Sequence, residues 1–371
     1  MSSTGAGPGV TPPWTRVAEA EQAARDRLPA DIWDFVAGGS GDESVLTGNL
    51  TELNRITVVP RVLNGQPGGV RLARQLGRSE TRMPVVIAPM AYQRLVHPQG
   101  ELAVAEAARA EGIPYVVPML SSHPLEKIAD VGATLWFQLY WLRDRGVLLD
   151  LVRRAEQAGC RAIVITVDVP VMARRPRDLR NGFALPADVT AGNLDDTGPT
   201  THTRVPGASA VATHSAVAFD PAACWSDLEW LRAQTELPLV VKGILDPRDA
   251  VRAAERGADT VVVSNHGGRQ LPAAVPSCAA LPPVVERLAG RCEVLLDGGV
   301  RTGADVLRAL ALGADGVMYG RPVLWGLAAD GGAGVRTVLG LLRTETEEAL
   351  LLSGCADLAA VRQLTVARTV A

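Results

Sequence analysis

Two rhythms of apolar positions alternate along this chain. From Met83 onward, short β-branched runs unbroken by charge are followed by Ala-rich segments whose apolar residues recur at helical spacing. Eight runs predict strands: Met83–Met90, Ile113–Met119, Thr134–Tyr140, Ala162–Asp168, Leu237–Gly243, Thr260–Asn265, Glu293–Gly299 and Asp315–Arg321. The helical segments close on a small residue and a glycine, as in Ala110-Glu-Gly112, Gln157-Ala-Gly159, Arg256-Gly257-Ala258 and Leu312-Gly313-Ala314. A left-handed glycine after the last turn of a helix produces that pattern. Helix starts are marked too, by Ser226 with Glu229 and Thr302 with Asp305 as capping boxes, and by proline after Asp246. Eight β-α units in about 250 residues predict an α/β fold, a (β/α)8 TIM barrel, in preference to an open doubly wound sheet.

Ahead of the barrel, Trp14–Gly38 is helical in pattern, with Leu28-Pro29 marking a fresh start and Gly38-Gly39-Ser40-Gly41 an end, so an N-terminal helical extension is expected. Met1–Pro13 is rich in Gly, Ser, Thr and Pro, a composition expected for a disordered tail and unlike a signal peptide. Residues 14–371 then form one domain. After strand four the rhythm lapses, and Arg174–Trp225 is rich in Thr, Asp, Gly, Asn and Pro, as a lid or mobile insertion would be. Within it, Ala208–Ala218 is mildly apolar and carries His214, a weak motif for membrane attachment.

In such barrels the chemistry gathers at the C-terminal ends of the strands. Polar residues collect there: Gln138 and Tyr140, Thr166 and Asp168, Lys242, Ser264 and His266, Asp297, and Gly320 with Arg321. Strand alternation puts the members of each i, i+2 pair on one face. The richest end is Ser264-Asn-His-Gly-Gly-Arg-Gln-Leu271, where a titratable imidazole, a cation and two glycines suit an anionic substrate that must lose a proton. His266 is the candidate general base and Asp168 the carboxylate that would fix its tautomer. The bland alternatives are a hydrogen-bonded strand-end histidine and an aspartate capping a loop. Asp297-Gly-Gly-Val-Arg301 and Gly320-Arg321 combine glycine amides with two arginines, as a phosphate site does. No GxGxxG follows a strand and no Walker A sequence occurs, so a barrel-bound cofactor is expected over a Rossmann-bound nucleotide. Lys242 would stabilise an anionic reduced flavin or form a Schiff base.

Composition narrows the class. A net charge of -3 argues against nucleic acid as a partner. Five scattered cysteines, with no CxxC pair or His/Cys spacing for zinc, suggest reduced thiols in a cytoplasmic protein and no metal. No run of eighteen apolar residues predicts a membrane span.

Ser264–Leu271, Asp297–Arg301, Gly320-Arg321-Pro322, Val241-Lys242-Gly243, Thr166-Val-Asp168 and Phe137-Gln-Leu-Tyr140 together resemble the FMN-dependent α-hydroxy acid oxidase family, which includes glycolate oxidase, lactate oxidase and mandelate dehydrogenase. The likeness runs from about Trp14 to the C-terminus. It implies that His266 accepts the substrate proton with Asp168 behind it, that Arg269 and Arg175 hold the substrate carboxylate, and that Tyr140 hydrogen-bonds to the substrate. It implies FMN held by Pro89, Met90, Ala91, Gln138, Thr166, Lys242, Ser264, Asp297, Gly298, Gly299, Arg301, Gly320 and Arg321. Three positions depart from the family pattern: Phe35 replaces a carboxylate-binding tyrosine, Pro272 an aspartate, and Pro118 a serine that would face the flavin. Phe35, Phe137-Gln-Leu-Tyr-Trp141 and Arg175…Arg180-Asn-Gly-Phe183 look most like the 4-hydroxymandelate oxidase branch. The implied reaction converts 4-hydroxymandelate to 4-hydroxyphenylglyoxylate with O2 reduced to H2O2, in supply of hydroxyphenylglycine for peptide antibiotics, by a homotetramer. The alternative is a dehydrogenase passing electrons to a quinone or cytochrome; another class is a phosphate-binding isomerase barrel or a non-catalytic relative.

Overall fold

A computed structural model of the chain describes residues 14–65, 69–194 and 217–369. The expected two-part helical start is present as α1 (Val17–Arg27) and α2 (Ala30–Ala37), broken by the extended Leu28 and Pro29. A third helix, α3 (Ser44–Arg55), leads into β1 (Ile56–Val59), which pairs antiparallel with the C-terminal β12 (Thr365–Arg368). A hairpin of β2 (Arg74–Leu76) and β3 (Ser79–Thr81) follows.

All eight predicted barrel strands form, as β4 (Val85–Ile87), β5 (Tyr115–Pro118), β6 (Leu135–Tyr140), β7 (Ile163–Thr166), β8 (Leu239–Ile244), β9 (Thr260–Val263), β10 (Glu293–Asp297) and β11 (Gly316–Tyr319). They pair in parallel, each with its sequence neighbour, and β11 closes on β4. Their paired lengths are shorter than the apolar runs, because the last residues of each run leave the ladder to build the rim. Arg321, for instance, opens the helical segment Arg321–Leu352, which is two helices joined by a kink at Asp330-Gly331.

The barrel interior explains the site. Val86, Val116, Trp136, Val164, Val240, Val262, Leu295 and Met318, one from each strand, form a buried cluster with Leu76 of the hairpin. The hairpin plugs the bottom, with the Trp136 indole donating to Ser79 Oγ at 2.9 Å. Side chains alternate along a strand, so the next inward layer lies two residues on. That layer is Ala88, Pro118, Gln138, Thr166, Lys242, Ser264, Asp297 and Gly320. One further step gives Met90, Leu120, Tyr140, Asp168 and His266. The apolar floor gives way to charge within a single pleat.

Local starts agree with the sequence in two cases. Thr302 and Asp305 close a reciprocal capping box and Asp246 caps a helix with proline in its first turn. The third is corrected: helix Trp225–Arg232 is capped at Cys224 with Asp227 as its acid, two residues before the expected Ser226 and Glu229. The Cys224 amide reaches Asp227 at 2.7 Å, which fixes the earlier start. The described ends of the 174–225 insertion are built, with helix Pro176–Asn181 at one end and a bridge between Leu142 and Phe219 at the other. Met1–Pro13, His214 and most of Ala208–Ala218 lie outside the described residues. Among the described residues no helix is long and apolar enough to cross a membrane.

Candidate active site

His266 follows β9 in the left-handed backbone region, φ 58°, a conformation that costs a non-glycine residue about 1–2 kcal/mol. Its amide donates to Ser264 Oγ at 3.0 Å and its Nδ1 faces Asp168 Oδ1 at 2.9 Å. The strain is offset by bonds that aim the ring. Burial depresses the imidazole pKa, against the upward pull of Asp168. The neutral ring therefore keeps Nδ1–H on the carboxylate and leaves Nε2 with a lone pair. Asp168 can approach because β8 bulges at Lys242–Ile244: a Cβ on Gly243, φ 112°, would lie 2.7 Å from the Asp168 side chain.

Beneath the histidine lies a buried charge network. Lys242 Nζ is 2.8 Å from Asp297 Oδ2 and donates to Ser264 Oγ at 3.1 Å, while Ser264 Oγ donates to Asp297 Oδ2 at 2.5 Å. Burial alone would depress the lysine, but Asp297 and Asp168 outweigh it and its pKa is raised. Burial likewise opposes ionisation of Asp297, and Lys242 outweighs it to leave the carboxyl below its ordinary value. Gln138 donates to Thr166 Oγ1 at 3.1 Å and accepts from the Met119 amide at 3.3 Å.

Four arginines crowd this end of the barrel. Arg269 Nη1 donates to the carbonyls of Phe35 and Gly38, both at 2.8 Å, which ties the β9 loop to α2. Arg269 and Arg175 both lie over the Phe35 ring, at 5.4 and 5.8 Å from its centroid, and Phe183 stacks on that ring at 4.4 Å. Arg321 donates only to carbonyls, of Val36, Gly38 and Gly267, and Arg301 bonds the Val300 carbonyl and caps the Trp325 ring at 4.9 Å. Burial, aided by neighbouring arginines, pushes Arg269 well below its usual range and Arg321 down to about 9. Neither Arg301 nor Arg321 has a carboxylate at ion-pair distance among the described residues, although the charges of Glu21 and Asp297 act on both. Among the described residues Arg175 has one ion-pair partner, Asp178 at 3.9 Å, and its buried Nε has no hydrogen-bond partner.

One cavity unites most of the predicted residues. Phe35, Pro89, Met90, Ala91, Tyr140, Arg175, Lys242, His266, Arg269, Asp297, Gly320 and Arg321 line it. Gln138, Thr166 and Ser264 form the layer under it, Asp168 stands behind His266, and Gly298, Gly299 and Arg301 follow the end of β10. Of the departures, Phe35 is in the wall, Pro118 ends β5 opposite Gln138, and Pro272 packs on Gly41.

Three residues to which the sequence assigned no role help to build the site. Phe219, from the far end of the insertion, lines the cavity and stacks on Tyr140 at 4.6 Å. Phe183 backs Phe35. Gln270 clamps the β7 loop, donating to the carbonyls of Asp168 and Val171 at 2.9 Å and accepting from Ala173 at 3.2 Å. A signal existed for the aromatic pair, since the chain has four phenylalanines and three of them meet here. Gln270 carried none beyond its neighbours.

Arginines without a carboxylate at ion-pair distance among the described residues, beside a glycine rim and above a buried Lys–Asp pair, fit a phosphorylated cofactor in the donor set they offer, and His266 lines the same cavity. Residues 24–368 match the family model described as FMN-dependent dehydrogenase. The 4-hydroxymandelate oxidase of Amycolatopsis orientalis is 55% identical over 95% of this chain and 98% of its own length. The L-lactate oxidase of Nostoc sp. is 45% identical over 92% of this chain and 94% of its own. A crystal structure of mandelate oxidase with (S)-4-hydroxymandelic acid superposes with a TM-score of 0.94 at 54% identity, covering 96% of this chain and all of that one. The chain belongs to the FMN-dependent dehydrogenase family, and its cofactor is FMN. Within that family it is a 2-hydroxy acid oxidase.

Proposed function

We propose that the protein oxidises an aromatic (S)-2-hydroxy acid, with 4-hydroxymandelate converted to 4-hydroxyphenylglyoxylate and O2 reduced to H2O2. The observation that carries the substrate choice is Phe35, placed under both candidate carboxylate-binding arginines where a hydroxyl would serve a small acid. Bound FMN supplies the two-electron acceptor for the substrate α-carbon. Pro89–Ala91, the Gly298-Gly299 turn, Gly320, Arg301 and Arg321 would hold it, over Gln138, Thr166, Ser264 and the Lys242–Asp297 pair.

The residues of the chain supply the rest. Arg175 and Arg269 neutralise the carboxylate, and the unpartnered Arg175 Nε is a donor awaiting an acceptor. His266 Nε2 takes the proton from the substrate hydroxyl, and Asp168 stabilises the resulting imidazolium. Burial, then the charge of Asp168, pushes the Tyr140 hydroxyl up to about 12, so it stays protonated and donates to substrate. Phe35 and Phe219 offer apolar surface to a phenyl ring, at about 25 cal/mol per Å² removed from water.

The test is anaerobic bleaching of the yellow protein, then peroxide yield, with 4-hydroxymandelate, mandelate, lactate and glycolate. The aromatic acids are expected to exceed the small ones in kcat/KM by at least about tenfold, roughly 1.4 kcal/mol of transition-state binding. A preference for lactate or glycolate would refute this pocket. Bleaching without peroxide, with turnover restored by an artificial acceptor, would make the protein a dehydrogenase. The same reading places the enzyme in hydroxyphenylglycine supply as a cytoplasmic homotetramer, the assembly being checked by light scattering.

A further inference from the structure

Three of the methionines, Met83, Met119 and Met318, are sealed in the core at 0–1% exposure. Met90 and Met172 are different: both are partly exposed and both line the cavity that holds His266. Met172 lies in the loop after β7, next to Ala173, whose amide is pinned by Gln270, and three residues before Arg175. Met90 packs toward the glycine rim, where a Cβ on Gly320 would come within 3.7 Å of its sulfur. That rim is where the proposed function puts FMN, whereas Met172 lines the cavity with Arg175 and Phe219, which that reading gives to the substrate.

We propose that Met172 is an oxidation site at which hydrogen peroxide converts the thioether to the sulfoxide. This rests on the reading that O2 is reduced to peroxide in this cavity. The sulfur lone pair attacks one peroxide oxygen, the S–O bond forms as the O–O bond breaks, and the departing hydroxide takes the remaining hydroxyl proton and leaves as water. Sulfur loses two electrons and peroxide gains them, so no further reactant is needed. The product replaces a soft apolar wall with a strong acceptor oxygen in the cavity that Arg175 also lines. It competes with the substrate carboxylate for that guanidinium and roughens the surface that receives an aromatic ring. Peroxide thereby weakens the enzyme for its own substrate.

The experiment exposes the FMN-loaded enzyme to added hydrogen peroxide, with and without phenylacetate as a non-oxidisable occupant, and follows each methionine by peptide mass. One oxygen is expected on the Met172 peptide ahead of those of Met83, Met90, Met119 and Met318, with phenylacetate slowing it at least about fivefold by covering the thioether. KM for 4-hydroxymandelate should rise in step with the modified fraction, and M172L should lose no activity over the same interval. Oxidation that appears first at Met90 or the core methionines would overturn the proposal, as would an M172L enzyme as sensitive as its parent. Peroxide measured in a parallel turnover assay separates the two readings. Its absence refutes O2 as acceptor, while the added-peroxide arm still decides the reactivity of Met172.

Discussion

Replacing Lys242 with methionine keeps the length of the side chain and removes its charge from the centre of the barrel. Lys242 and Asp297 are 5% and 12% exposed and 2.8 Å apart, so the substitution leaves a carboxylate buried with only the Ser264 hydroxyl for company. Breaking one partner out of such a pair costs about 3–5 kcal/mol. Reversible urea unfolding of the flavin-free protein should show a loss of that size, and K242M/D297N should recover at least half of it, because the orphaned charge is gone. The pH dependence has a definite sign. Asp297 has a depressed pKa when folded, so its contribution is complete above the ordinary 3.8 and disappears as pH falls through the lower folded value. Lys242 has a raised one, so its contribution is complete below 10.5 and disappears as pH rises through the higher folded value. In K242M burial is left unopposed at Asp297, so the deficit should shrink as pH falls through that carboxyl's raised folded value, above 3.8, and again as pH rises through the folded value of Lys242 in the parent. A deficit under about 1 kcal/mol, typical of exposed pairs, would refute the buried-pair account, as would a double variant no more stable than the single.

Other expectations follow from the same geometry. H266A should retain FMN yet slow its anaerobic reduction by about 10²–10⁴-fold. Because burial holds the His266 pKa below 6.5, kcat/KM of the parent should be level at and above 6.5 and fall only as pH drops through the lower folded value. D168N removes the group that raises that pKa, so stopped-flow reduction should be slower and its acid limb should move to lower pH; an unmoved limb would leave Asp168 a purely structural role. Q270L deletes three hydrogen bonds to the β7 loop, and about a tenfold loss in kcat/KM with unchanged FMN content is expected, measured by steady-state assay beside the flavin spectrum. R321M should weaken FMN by about 1.5–3 kcal/mol, the worth of a charge-assisted bond, and a variant that stays yellow on dilution would contradict the phosphate assignment.

How much of this was present in the sequence depends on the range of the interaction. The alternation of apolar runs with helices, and the i, i+2 spacing of Gln138 with Tyr140 and Ser264 with His266, are local. Parallel strands covered on both faces must be continuously apolar, and any polar residue ending such a run has to stand at the rim. Eight strands, their order and the ring of polar ends could thus be read before any coordinates.

What only the tertiary structure decided are the partners across the barrel. Arg269 bonds the Phe35 carbonyl across 234 positions, and Asp168 meets His266 across 98. Asp297 emerges as the counter-ion of Lys242, because strands β8 to β10 bring the three groups of the network within reach only when the barrel closes. The Ser226 cap failed, and Phe219 went without a role, for the same reason. Cys224 and Asp227 are fixed by a reciprocal backbone contact, and Phe219 by its bridge to Leu142, which propensity along the chain does not encode. Sequence periodicity specifies which face each residue takes; which charge it meets there depends on packing among segments far apart in the chain, and that packing sets every pKa in the site.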